Sequence, residues 1–213
     1  HREGEALGLL KLDILGLNTL SIIDDCLERL KAKNIKVNLQ NIDLQDKTVY
    51  DNVFKPGNCV GVFQFETKGL TKLSKNLMPD KFEILVAANG LHRPGSLHSG
   101  LTASYTLRRQ GKEPIDYIHD AVKPYTEEEL GIIIYQEQIM MTMHDVGGLS
   151  WEHSDISRKI MSKSKGKKEF EKFRELFVKV ALMNNIKQKD AEYIYDKVSQ
   201  FGSFCFNKCV SKD

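Results

Sequence analysis

The chain has 213 residues, with 31 Lys and Arg against 29 Asp and Glu and a hydrophobic fraction of 41%. It is long enough to bury a core, too apolar for intrinsic disorder and, at a formal charge of +2, too balanced for total charge alone to argue for a polyanionic partner. No apolar run reaches the roughly 18–20 residues of a membrane span, and His1-Arg2-Glu3-Gly4-Glu5 lacks a signal-peptide core, so a soluble, cytoplasmic chain without membrane contact is expected.

From Gly8 to Leu17, Leu10, Leu12 and Ile14 alternate with Lys11 and Asp13, the period of a strand. At Asn18 the spacing becomes helical and runs to Asn34, with Leu20, Ile23, Leu27 and Leu30 on one stripe behind an Asn18 or Thr19 cap. Helical periodicity continues over 46–54, 67–77, 80–91, 100–110, 126–146, 151–163, 167–185 and 188–200. Thr126 and Glu129 have capping-box spacing, and Gly147-Gly148 predicts a stop. Short punctuated loops lie at 55–58, 93–96 and 111–124, and no fixed-period repeat is present. The predicted fold class is predominantly α-helical with a small β remnant, entered through one strand whose sheet neighbours are missing. Beginning at His1 rather than Met and stopping at Asp213, the chain reads as a piece of something larger.

Lys11 and Asp13 leave the same face of the predicted strand. They are either a surface ion pair or a metal-ligating carboxylate beside a phosphate-binding lysine, and spacing does not choose. Arg158, Lys159, Lys163, Lys165, Lys167 and Lys168 fall within eleven residues that contain no acid, so a near-neutral chain carries one concentrated basic stretch. It is either a solvated face or a phosphate-neutralising one. Arg93-Pro94-Gly95 holds an arginine in a rigid turn suited to bidentate contact with phosphate or carboxylate. Gln136, Glu137 and Gln138 interrupt an apolar run and must find partners, either in a core hydrogen-bond network or on a substrate. Cys26, Cys59, Cys205 and Cys209 are too scattered for a disulfide framework, and the lone C-x3-C favours free thiols over zinc.

The motif order Gly8-Leu9-Leu10-Lys11-Leu12-Asp13-Ile14-Leu15-Gly16-Leu17, Gly61-Val62-Phe63-Gln64-Phe65-Glu66, His92-Arg93-Pro94-Gly95-Ser96-Leu97, Gly131 to Gln138, Arg158-Lys159-Ile160-Met161 and Phe206-Asn207-Lys208 resembles the C-family polymerases, the alpha subunits of bacterial replicative DNA polymerase III. The resemblance implies that residues 1–17 end a palm and carry its third catalytic carboxylate, Asp13, beside Lys11, which faces the incoming phosphates. It implies that 18–208 form the fingers, with Arg93, Arg158, Lys159, Lys163, Lys165, Asn207 and Lys208 as nucleotide or DNA contacts. Two Mg²⁺ ions, primer–template DNA and deoxynucleoside triphosphates are implied as cofactor and substrates, with a sliding clamp and clamp loader engaged through other regions. The family's Asp-x-Asp motif is absent from these 213 residues, so the isolated chain is expected to be inactive. Lys159 stands where the family usually has a second arginine, keeping the charge but not the planar fork.

After Lys208 the family pattern gives way to Cys209-Val210-Ser211-Lys212-Asp213, which resembles the opening block of an intein. The expectation is a splice junction at Lys208-Cys209, with 209–213 beginning an intervening element. Two other readings are a non-catalytic basic helical DNA-binding module and the extein fragment of a self-splicing precursor.

Overall fold

The computed structural model describes residues 7–9, 18–163 and 167–208, without the side chain of Lys163, and separates into two units, His1–Asp43 and Leu44–Asp213. Lys11, Asp13, Lys165 and Cys209 lie outside the described residues, as do most of the predicted strand and the predicted intein start.

In the first unit, helix α1 (Asn18–Ala32) follows the predicted stripe. It stops where Asn34 turns left-handed, at φ 59°, and the Ile35 amide bonds back to the Leu30 carbonyl at 3.0 Å. That is the Schellman closure, which asparagine tolerates better than most residues.

The second unit contains α2 (Lys47–Val49) running into a π-turn (Tyr50–Phe54), α3 (Lys68–Leu77), α4 (Phe82–Leu91), α5 (Pro94–His98) and α6 (Leu101–Arg109). It continues with α7 (Lys123–Thr126), α8 (Gln136–Met141) and a second π-turn (Thr142–Val146). The last three helices are α9 (Trp151–Lys163), α10 (Lys167–Met183) and α11 (Gln188–Phe201). Two hydrophobic cores hold it together. Leu70, Leu73 and Leu77 of α3 meet Ile84, Leu85, Val86, Ala88 and Leu91 of α4 in the first, together with Tyr50, Phe54, Phe65 and Tyr105. Because α4 is apolar around its circumference, it is buried on nearly every side. The second core joins Ile139, Met143 and Val146 to Met161, Phe177, Ile194, Tyr195 and Val198.

The predicted helix over 126–146 is broken. Leu130 and Gly131 both take left-handed backbone, φ 57° and 80°, and a Cβ on Gly131 would collide with the Asp116 carbonyl oxygen. The segment that follows is extended, as suits consecutive β-branched residues. Its period of two sends Ile132 and Ile134 into the first core and Ile133 into the second, so this short stretch is the seam between them. Thr126 is correspondingly not a helix cap: it ends α7, and its hydroxyl donates to the Val122 carbonyl at 3.2 Å. α5 was not expected, although Pro94 stands at its first turn, where proline is pre-organised.

Among the described residues there is no sheet, only an isolated parallel bridge between Tyr135 and Phe206. The fold class is therefore predominantly helical, and the expected β remnant falls on residues outside the description. No helix among the described residues is long and apolar enough to cross a membrane.

Candidate functional site

The seam segment leads into the site. Ile134 and Tyr135 would present buried, unpaired amides where α8 begins, and Gln138 prevents this: its Oε1 accepts from both, at 2.8 Å each. The Gln138 amide nitrogen donates onward to the Tyr125 carbonyl at 2.9 Å and to Glu129 at 2.7 Å. The polar interruption at 136–138 is thus a satisfied network at Gln138, while Gln136 and Glu137 reach residues 205–208.

The segment 204–208 lies beside the seam. The Phe206 amide donates to the Ile134 carbonyl at 2.9 Å, and the Gln136 amide donates to the Phe206 carbonyl at 2.8 Å. Both oxygens of Glu137 accept the Lys208 amide, at 3.0 and 3.1 Å. Two aromatic rings of this segment meet the Arg93 turn. The Arg93 guanidinium sits 3.3 Å above the centroid of Phe206, and Gly95 packs so tightly on Phe204 that a Cβ there would strike the ring. Burial pulls the Arg93 pKa below its ordinary value, and an arginine so placed still carries its charge.

Gln136 joins this segment to α9. Its amide nitrogen donates to the Cys205 carbonyl at 3.3 Å, and its oxygen accepts from Arg158 Nη1 at 3.0 Å. The other nitrogens of Arg158 grip Asp155 Oδ1 at 3.0 and 2.7 Å, and Lys159 Nζ takes Asp155 Oδ2 at 2.6 Å. Burial pushes the Asp155 carboxyl up, but hydrogen bonds from Lys159 and Arg158 outweigh it and hold the group below its ordinary range. Arg93, Arg158 and Lys159 are therefore linked through Phe206, Gln136 and Asp155. Asp155 is the carboxylate that Arg158 and Lys159 share, and Arg93 forms no ion pair among the described residues.

Lys208 is engaged differently. Its ammonium pairs with Glu128 at 2.6 Å and Glu129 at 3.1 Å and lies 4.9 Å from the Tyr135 ring centroid. The Lys208 bond draws the Glu128 carboxyl below its usual range. Burial pushes that of Glu129, only 3% exposed, above it. Although burial works against the charge on Lys208, the two glutamates raise its pKa.

The structure thus brings Arg93, Arg158 and Lys159 around the 204–208 segment, which contains Asn207 and Lys208. Lys163 ends α9 with its side chain outside the description, and Lys165, Lys11 and Asp13 lie outside it altogether. Gln136 was expected to find partners and Phe206 stands in the Phe206-Asn207-Lys208 motif, but their links to the cations, and the part of Asp155, were not anticipated. Among the described residues no group of three or more His, Cys, Asp or Glu side chains is placed to hold a metal ion, so they do not form a magnesium site by themselves. Cys26, Cys59 and Cys205 are free thiols.

Residues 19–185 match the family model for the bacterial DNA polymerase III alpha subunit finger domain. The DNA polymerase III subunit alpha of Rickettsia felis is 38% identical over 207 residues, which cover 97% of this chain and 17% of that protein. The corresponding subunit of Aquifex aeolicus is 35% identical over 208 residues (97% of this chain, 18% of the relative), and that of Staphylococcus epidermidis 36% over 205 (96% and 19%). This chain spans under a fifth of the length of those relatives. On the strength of the matched finger domain and of relatives aligned along almost its whole length, the chain belongs to the bacterial DNA polymerase III alpha subunit family.

Proposed function

We propose that this chain supplies the fingers of a template-directed DNA polymerase and that Arg93, Arg158 and Lys159 receive phosphates of the incoming deoxynucleoside triphosphate. One observation carries the assignment: three cations are tied to the 204–208 segment, and among the described residues Asp155 is the one carboxylate that pairs with any of them. The surplus positive charge is what a triphosphate requires. Arg158 is held on three nitrogens, so its guanidinium is oriented before ligand arrives and loses little entropy on binding. Lys159, with its side chain 55% exposed, follows as a more mobile charge.

In the longer protein, Asp13 would ligate magnesium together with carboxylates from other regions, and Lys11 would face the phosphates. The bound ions would supply activation of the primer hydroxyl and charge neutralisation at the leaving group. Primer–template DNA is the other substrate, and clamp and clamp-loader contacts belong to regions beyond this chain.

The test is primer extension by a full-length polymerase carrying these fingers. Arg158→Ala should raise KM for deoxynucleotide about 10- to 100-fold, the value of one lost charge-assisted contact. An unchanged KM would remove the phosphate role. The 213-residue chain alone is expected to incorporate nothing.

A further inference from the structure

Trp151 is the sole tryptophan of the chain, and it opens α9 with 52% of its surface exposed. Its indole lies on the His144 imidazole, with ring centroids 4.0 Å apart and planes 22° from parallel. His144 is anchored in turn, its Nδ1 2.6 Å from the Leu149 carbonyl oxygen. The π-turn over Thr142–Val146 carries this histidine. One side of the indole is therefore backed by a fixed ring while more than half of its surface stays open.

A single exposed hydrophobic residue is ordinary, so exposure alone assigns nothing. The position on α9 adds the second observation. Ser154, Ser157 and Met161 are buried and define the inward face of α9. Trp151, Asp155, Arg158 and Ser162 follow spacings of four, three and four, which place them on one adjoining stripe, with Lys159 at its edge. Arg158 is seven residues on from Trp151, about 10 Å along the axis at 1.5 Å per residue. An anchored aromatic face followed by cations at that spacing suits a single strand, whose bases stack while its phosphates find positive charge.

We infer that Trp151, backed by His144, is a stacking platform for an unpaired base of single-stranded DNA whose backbone continues toward Arg158 and Lys159. The inference rests on the polymerase reading above and adds to it a contact with unpaired template. The indole acts as a positioning group and touches no reacting atom.

Because the chain has one tryptophan, its emission reports on this ring directly. The 213-residue chain is titrated with short oligo-dT and with a hairpin duplex, while anisotropy of labelled DNA follows binding separately. Oligo-dT should quench the emission at the concentrations at which it binds, and the duplex should quench far less. Trp151→Ala should weaken oligo-dT binding about 5- to 100-fold, as loss of one stacked base implies, and Trp151→Phe should restore most of it. Binding without quenching, or equal affinity of all three proteins, overturns the stacking role, leaves the polymerase reading standing and gives the exposed indole to a protein partner. Absence of any DNA binding by a chain that unfolds cooperatively in urea overturns the platform, and the polymerase reading is then decided by the full-length KM test.

Discussion

The two ends of the site spend charge in opposite ways. At Lys208 one ammonium faces Glu128 and Glu129, and Glu137 holds the same residue's amide, so acids outnumber the base. On α9 two cations share Asp155, and Arg93 nearby rests on an aromatic face rather than on a carboxylate. Both are basic residues in a segment of conspicuous sequence, yet acids offset the charge at the first and leave a surplus at the second. Lys208 and Glu137 hold the 204–208 segment onto α8.

The strongest way to break that contrast is to remove the floor beneath the Lys208 end. Gln138→Leu leaves the buried amides of Ile134 and Tyr135 without an acceptor and takes a donor from Glu129. The expected cost is about 2–4 kcal/mol, read by urea denaturation of the purified chain. A loss below about 0.5 kcal/mol would mean that the network does not support the Lys208 end.

A paired comparison sharpens it. Lys208→Ala strips the counter-charge from the buried Glu129, and with the lysine side chain 27% exposed the cost should be about 1–3 kcal/mol of stability. Lys159→Ala removes an exposed side chain and should cost less than about 0.5 kcal/mol. The ligand readout should reverse: Lys159→Ala lowers the salt slope of DNA or triphosphate binding by about one unit, whereas Lys208→Ala leaves it near wild type. Matching salt slopes for the two variants would erase the distinction between the ends.

How much of this the sequence revealed depends on the range of the interaction. Most helices follow from local periodicity, and the basic stretch on α9 stands out as a charge run. The break at Leu130-Gly131 was written in the glycine and the three isoleucines after it, but helical spacing on both sides masked it. The partnership of Arg93 with Phe206 spans more than a hundred residues, and no local pattern encodes it. Lys208 shows the converse. Its motif named it as a ligand contact, while its neutralisation depends on Glu128 and Glu129, some eighty positions earlier. Asp155 was overlooked because a single acid three residues before Arg158 resembles any surface pair.

The smallest effect expected is in acid, where the two ends should respond with opposite sign. Asp155 is held below its ordinary value, so the stability it contributes is complete above the unfolded value near 3.8 and is lost as pH falls through the folded one. Glu129 is held above its ordinary value, so what it contributes is present at low pH and lost as pH rises through the folded value. Thermal unfolding followed from neutral pH down to about pH 3 should therefore show a shallower decline for Asp155→Asn than for wild type, by less than about 1 kcal/mol for this partly exposed pair. Glu129→Gln should show a steeper decline, because the residue whose protonation favours folding in acid is gone. Identical slopes in all three proteins would mean that neither carboxylate changes its proton affinity on folding, and the electrostatic difference between the two ends would lose its footing.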